Sequence, residues 1–336
     1  MKKLLIVDVG IIDPYINLAI EEFLYNSYEE NSLVLFLWQN NNSVVVGQNQ
    51  SVYSQCNMDI IKANKINVVR RKSGGGAVYH DLGNLNYTFI SNYHDSVISD
   101  NIKIIISTLH VLGIDAVPTG RNDIMVCDKK ISGSAFYRND HKICHHGTIL
   151  VDSDLSMMYD VLNVETDKWK DKGIDSARGR TINLKEINPD ISVDKIKKCL
   201  YDILSVSYSV IETYHSFFDL IKNVDDINKI AMLYSSKSWI FEKKFNESLE
   251  LRRKYSWGSL QIKLIIDNNS ISDCLMFSDA LETEIIQSIN NVLKGIQFCS
   301  LSIKNAFNIL YATRMTEAEK SIASDIELLL ISKAAF

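Results

Sequence analysis

The chain has 336 residues, 46% of them hydrophobic, with a formal net charge of -5 and a pI near 5.8. That length carries one large domain and a smaller one. The balance offers no extended basic field, so nonspecific nucleic-acid binding is excluded as the main occupation, and any anion site must be local.

The first ten residues, MKKLLIVDVG, place two lysines before an apolar run, but Asp8 ends that run after Val7. A first strand is the better reading than a secretory signal. No apolar stretch approaches the roughly 18 residues of a membrane span. A cytoplasmic protein without a membrane partner is therefore expected.

Asp13-Pro14 followed by Ile16, Ile20, Phe23 and Leu24 reads as an N-cap, a proline at the first helical position and one apolar face. The runs LVLFLW (33–38), SVVVG (43–47) and INVVR (66–70) are strands of a buried sheet, separated by Asn, Gln and Gly. AVYHD and LNYTFI continue as strands, and residues 102–112 suggest a helix closed by Gly113. GRNDIMV, KKISGSAFY and HHGTILVD add three strand-turn units. Residues 155–241 read as mainly helical, with a long loop at 172–184, and the polar stretch 243–258 marks a boundary. Beyond it lie a hairpin around Asn268-Asn269, a helical stripe Leu281, Ile285, Ile289 and Leu293, and a capping box Thr316-x-x-Glu319. The expected fold class is α/β (α+β). A large catalytic domain, 1–245, would have a mixed sheet packed by helices; a small α+β domain, 246–336, would follow.

Six cysteines (Cys56, Cys127, Cys144, Cys199, Cys274, Cys299) show no C-x-x-C pair. They read as reduced, structural thiols. Cys144 beside His145 and His146 invites a zinc site, yet strand neighbours face opposite ways and no second ligand cluster is visible, so zinc is not expected.

The chemistry concentrates in RRKSGGGAVYHDLGN (70–84). Its glycines have neither P-loop order nor dinucleotide-fold spacing. Three residues lacking a β-carbon still let successive amides approach one anion, with Arg70, Arg71 and Lys72 beside them; a tight turn between strands is the other reading. In GRNDIMVCDKKISGSAFY (120–137), Lys130 precedes small residues and could project where a carboxylate and a phosphate meet.

These two segments, with DPYINLAIEE, FLWQNNNSVVVGQNQ, HHGTILVDSDLS and KGIDSARGRTINL in the same order, resemble the lipoate-protein ligases of the biotin and lipoate ligase superfamily. RRKYSWGSLQIKL is similar to the accessory domain of the longer bacterial ligases. The resemblance implies a two-step reaction. Lipoate and ATP give lipoyl-adenylate and pyrophosphate; the acyl group then passes to a lysine of a lipoyl acceptor domain.

On matching positions, the resemblance implies that Lys130 is the catalytic lysine, touching both lipoate and phosphate, and that Arg71, Gly76, Ala77, Val78 and Tyr79 contact the nucleotide. Asn122 and Asp123 are further nucleotide contacts, with Asp123 the candidate Mg²⁺ ligand or a turn-forming side chain. Gly74, Gly75, His80 and His146 are candidate lipoate contacts, and Arg178 and Arg180 fall in an implied adenylate loop. Val44, Val45, Val46, Trp38 and Tyr79 could wall the acyl tunnel, ordinary core being favoured for the valines. ATP is the implied substrate and Mg²⁺ its companion. Lipoate or octanoate is the acyl partner; acceptors would be lipoyl domains of 2-oxoacid dehydrogenase complexes or the glycine cleavage H protein. A transferase of the same fold using a pre-activated acyl group, and a non-catalytic lipoate-binding protein, are the alternatives.

Overall fold

A computed structural model describes residues 3–120, 122–163, 180–220, 224–242 and 245–334. The chain divides into two compact units.

The first unit comprises Met1–Val46, Val52–Arg71 and Ala77–Ile240. Its strands are β1 (Lys3–Val7), β2 (Ser32–Trp38), β3 (Ser43–Val46), β4 (Asn67–Arg70), β5 (Val78–His80), β6 (Asn84–Asn92), β7 (Val117–Thr119), β8 (Asp123–Val126), β9 (Lys129–Arg138), β10 (Lys142–Leu150) and β11 (Val210–Tyr214). Eight of them form one sheet in the order β11-β1-β2-β6-β10-β9-β8-β7. β1 runs parallel to both neighbours and the other pairs are antiparallel. A smaller sheet has the order β4-β3-β5.

Local chemistry sets the main elements. Helix α1 (Pro14–Asn26) starts where the Asp13 carboxylate accepts from the amides of Tyr15 at 2.8 Å and Ile16 at 3.1 Å, satisfying two of the donors a helix start leaves open. The β8–β9 turn is made by Cys127 and Asp128, both left-handed (φ 50° and 59°), as a two-residue hairpin demands. Helix α2 (Val97–Val111) begins five residues earlier than the apolar spacing suggested. It lies with α3 (Val193–Ser205) on one face of the large sheet, where Leu85, Tyr87, Phe89, Ile105 and Leu200 are buried together. The other face buries Phe36, Trp38, Ile90 and Cys144 with α1, the small sheet and α4 (Val224–Ser235). The strand β11, inside the stretch read as helical, pairs with β1 from Val210 to Tyr214.

The second unit joins Phe241–Phe336 with two short excursions, Gly47–Ser51 and Lys72–Gly76. Strands β12 (Leu249–Tyr255), β13 (Gly258–Asp267) and β14 (Ser270–Ser278) form its sheet. Helices α5 (Thr283–Leu293), α6 (Ser300–Tyr311) and α7 (Glu317–Ile331) close a core containing Leu251, Ile262, Ile289, Phe307 and Ile326. The stretch 243–258 is therefore not a bare connector. Leu251 is buried, and the Tyr255 ring stacks on Trp257 at 4.8 Å. The expected hairpin turn is present, with Asn268 and Asn269 at φ 49° and 62°, and so is the Thr316–Glu319 capping box. Among the described residues no helix is long and apolar enough to cross a membrane.

Candidate active site

A single line of residues crosses one face of the large sheet. Trp38 stands opposite Asn86, Asn86 opposite Thr148, and Gly133 opposite Asp123, while the Gly133 amide donates to Thr148 Oγ1 at 3.3 Å. Directly opposed residues present side chains to the same face.

Lys130 joins this line through an irregularity. Plain alternation would put it on the face opposite Gly133, three residues on. The β8–β9 register shifts between Ile124 and Met125 and skips Ile131, whose side chain is fully buried in the other core. This bulge re-aims the lysine. A β-carbon added at Gly133 would lie 2.8 Å from Lys130 Nζ, so the stem crosses directly above that glycine. The ammonium ends on Asp123 Oδ1 at 2.7 Å, with both side chains just over one-third exposed. Its main chain is fixed from beyond the sheet: the Lys130 amide donates to Arg180 O at 2.7 Å, and the Ile182 amide to Lys130 O at 3.1 Å. Arg180 is thus beside Lys130, while Arg178 lies outside the described residues. Asn122 donates from Nδ2 to Ser134 O at 2.6 Å, stapling β8 to β9.

Two residues along β10 the floor changes character. Phe36, Thr88, His146 and Ala135 form the next line, and Glu21 descends from α1 onto it. Glu21 Oε1 accepts from Thr88 Oγ1 at 2.7 Å and pairs with His146 Nδ1 at 2.8 Å; Trp38 Nε1 donates to Thr88 Oγ1 at 3.0 Å. All four side chains are buried. One further step brings Cys144, so that ligand atoms of Glu21, Cys144 and His146 lie within 4.8 Å of one another. His145 and His146 face opposite ways, as the strand alternation required. His145 lies on the other face, where its Nδ1 meets Asn101 Nδ2 at 3.3 Å. Glu21 and Cys144 gather around His146, a grouping not visible in the sequence. Burial, with the Glu21 charge nearby, pushes the Cys144 thiol well above its ordinary range.

His80 looks onto this floor, its ring 6.0 Å from that of Trp38. Its tautomer follows from a chain of amides. Asn17 Nδ2 shares its two protons among Ile11 O, Gln39 O and Asn40 Oδ1, and with Oδ1 turned that way Asn40 Nδ2 donates to His80 Nδ1 at 3.1 Å. The proton of neutral His80 then sits on Nε2, a buried atom without a partner among the described residues. Burial holds His80 neutral, with a pKa lowered to about 3, and the neighbouring Arg71 and His146 act the same way. Arg71 donates to Val45 O at 3.0 Å. Burial lowers its pKa to about 10, opposed by Glu21. Arg70 is consumed structurally, its guanidinium donating to Trp239 O and Ile240 O. Tyr79 is buried, its hydroxyl pushed up to about 12 by desolvation, while Ala77 and Val78 are half-buried. Val44, Val45 and Val46 are fully buried core.

The glycines belong to the second unit. A β-carbon at Gly74 would fall 2.1 Å from Ala280 O. The Gly75 amide donates to that same oxygen at 3.4 Å, with Gly75 at φ 85°. Gly76 is exposed, with nothing within 4 Å of an added β-carbon. Close main-chain packing therefore accounts for Gly74 and a left-handed turn for Gly75.

Residues 13–205 match the profile of the lipoyl protein ligase A/B catalytic domain, and residues 244–326 that of the bacterial lipoate protein ligase C-terminus. The chain belongs to this family. It is 34% identical to the lipoate-protein ligase A of Psychrobacter cryohalolentis over 97% of this chain and 96% of that one. The crystal structure of Plasmodium falciparum LipL1 in complex with lipoate superposes with a TM-score of 0.85 at 29% identity, covering 98% of this chain and 99% of that one. A bipartite lipoate protein ligase from Thermoplasma acidophilum, studied with its E2 lipoyl domain, gives 0.60 at 28% identity over 74% and 98% of the two chains. A lipoate-protein ligase A bound with ATP gives 0.59 at 27% identity over 71% and 98%.

Proposed function

We infer that the protein is an ATP-dependent lipoate-protein ligase, which activates lipoate as lipoyl-adenylate and passes the acyl group to a lysine of a lipoyl domain. Family membership along both units carries this reading; its physical counterpart is the Lys130 ammonium, re-aimed by a bulge onto a face whose next line sets Phe36 and Ala135 beside the buried Glu21–Thr88–His146 group.

In the first step the lipoate carboxylate attacks the α-phosphorus of ATP, and pyrophosphate leaves. Two anions must approach, and a fixed cation lowers the Coulomb penalty without reorganising in the transition state. Lys130 is the proposed bridge between carboxylate and α-phosphate. Its bond to Asp123 holds the ammonium in place and can open toward a more highly charged partner. Mg²⁺ would arrive on the ATP phosphates; contact through Asp123 Oδ1 requires that ion pair to open. Arg71, Gly76, Ala77, Val78, Tyr79 and Asn122 are the proposed nucleotide contacts. Gly74, Gly75, His80 and His146 are the proposed lipoate contacts, and His80 offers its Nε2 proton to an oxygen while remaining uncharged. Lipoyl domains of 2-oxoacid dehydrogenase complexes or the glycine cleavage H protein are the proposed acceptors, and octanoate a second acyl substrate.

The transferase alternative needs a poised thiolate. Cys144, held protonated by burial, does not supply one. The decisive assay is pyrophosphate release from ATP and lipoate with no acceptor present. Release with accumulation of acyl-adenylate is expected; inertness toward ATP, with acyl transfer from a pre-activated donor, would replace the ligase by the transferase.

A further inference from the structure

Asn84 and Asn86 stand on the same face of β6 as Thr88, with 0% and 1% exposure. Asn84 Nδ2 donates to Asn86 Oδ1 at 2.9 Å, and this leaves Asn84 Oδ1 and Asn86 Nδ2 buried without partners among the described residues. Turning both amides over exchanges the labels but not the outcome: the pair always carries one spare donor and one spare acceptor. Two orphaned polar atoms in one buried pair are costly and call for an occupant. Asn86 lies on the line that ends at Lys130, between Trp38 and Thr148. It is two strands from Gly133, over which the ammonium lies. At roughly 4.8 Å per strand, the gap admits one carboxyl group held between Lys130 and the amide.

We propose that the Asn84–Asn86 pair serves the transfer half-reaction, its spare donor holding the acyl oxygen and its spare acceptor the incoming lysine amine. This rests on the ligase reading. The amine nitrogen attacks the acyl carbon and forms the C–N bond. The tetrahedral oxyanion takes the amide donor, and the ammonium takes the acceptor. The C–O bond to AMP then breaks, AMP leaves with the electron pair, and the surplus amine proton passes to the departing phosphate. Lys130 supplies charge where two anions meet; the amides supply neutral donors and acceptors where a neutral amine meets an ester-like carbonyl.

The test separates the two half-reactions in Asn86→Ala and, to preserve volume, Asn86→Leu, with the fold checked by near-UV circular dichroism. Adenylation is read as pyrophosphate release without acceptor. Transfer is read in single turnovers from preformed lipoyl-adenylate to a lipoyl domain. Loss of one preorganised donor predicts transfer slower by about 100-fold or more, at least tenfold beyond any loss in adenylation. Equal losses in both steps, or near-normal transfer in a folded variant, overturn the proposal. A wild-type protein inert toward ATP and lipoate removes the ligase reading, and the amide role with it.

Discussion

Gly133→Ala tests whether Lys130 must sit where the bulge puts it. The new β-carbon would lie 2.8 Å from Nζ and 2.9 Å from Cε of Lys130. An ordinary contact is about 3.5 Å, so the ammonium must retreat by about 0.7 Å. Only the free end of a flexible side chain has to move. The backbone at Gly133 is not left-handed, so alanine is tolerated there, and Tm should change by no more than about 2 °C. Catalysis has no such latitude, because a misplacement of about 1 Å can cost about 100-fold. Pyrophosphate release should therefore fall 10- to 100-fold, about 1.4–2.7 kcal/mol of transition-state stabilisation. Adenylation within twofold of wild type at unchanged Tm would show that the position of this ammonium does not matter, and the electrostatic account of the first step would fall.

Lys130→Ala should abolish adenylate formation while leaving the melting curve nearly intact; near-normal pyrophosphate release by the folded variant removes the lysine from the mechanism. Gly74→Ala should destabilise the second unit by about 1–3 kcal/mol, because the obstacle at 2.1 Å is a main-chain oxygen that cannot swing aside; an unchanged urea midpoint would refute that packing. His80 titrates near 3 when folded against 6.5 unfolded. The unfolded chain thus binds the extra proton between those values, and stability falls as pH drops below about 6.5. The loss from His80 should reach about 2 kcal/mol at pH 5, and His145, lowered to about 3 by burial in the same way, adds a second loss of that size. Urea unfolding at pH 7 and pH 5 should show a loss smaller by about 2 kcal/mol in His80→Asn than in the wild type, His145 keeping its own share in both, and equal losses in both would place this acid sensitivity elsewhere.

Elements whose signals are local were legible in the sequence. The Asp13 cap, the Asn268-Asn269 turn and the Thr316 capping box each act within four residues. β11 was hidden because its partner is β1, more than 200 residues earlier and parallel, so no turn announces it. β12 was hidden by charge, since Glu250, Arg252 and Arg253 outnumber the residues it buries. In the candidate site, the motif around Lys130 singled that residue out, but the β8–β9 register alone decides which face it reaches. Glu21 was missed although a signal existed. Asn17, Glu21 and Leu24 are spaced i, i+4, i+7 on the buried stripe of α1, and two polar residues on such a stripe require buried partners. Those partners, Thr88, His146 and Asn40, come from distant strands and loops.

The two lines of the sheet solve different electrostatic problems a few residues apart. At Lys130 the chain keeps a charged group partly in water and paired, where a polyanion can reach it and exchange one counterion for another. Deeper in, it holds groups whose charge burial suppresses: burial keeps His80 neutral, with Arg71 and His146 acting the same way, and burial together with the Glu21 charge keeps Cys144 protonated. A carboxylate suits the first environment. The Arg71 guanidinium beside His80 is opposed by the Glu21 charge, and a neutral donor in place of Lys130 would leave two anions to repel one another. The partly exposed ion pair over Gly133 is thus the place on this face where the proposed carboxylate and nucleotide would meet.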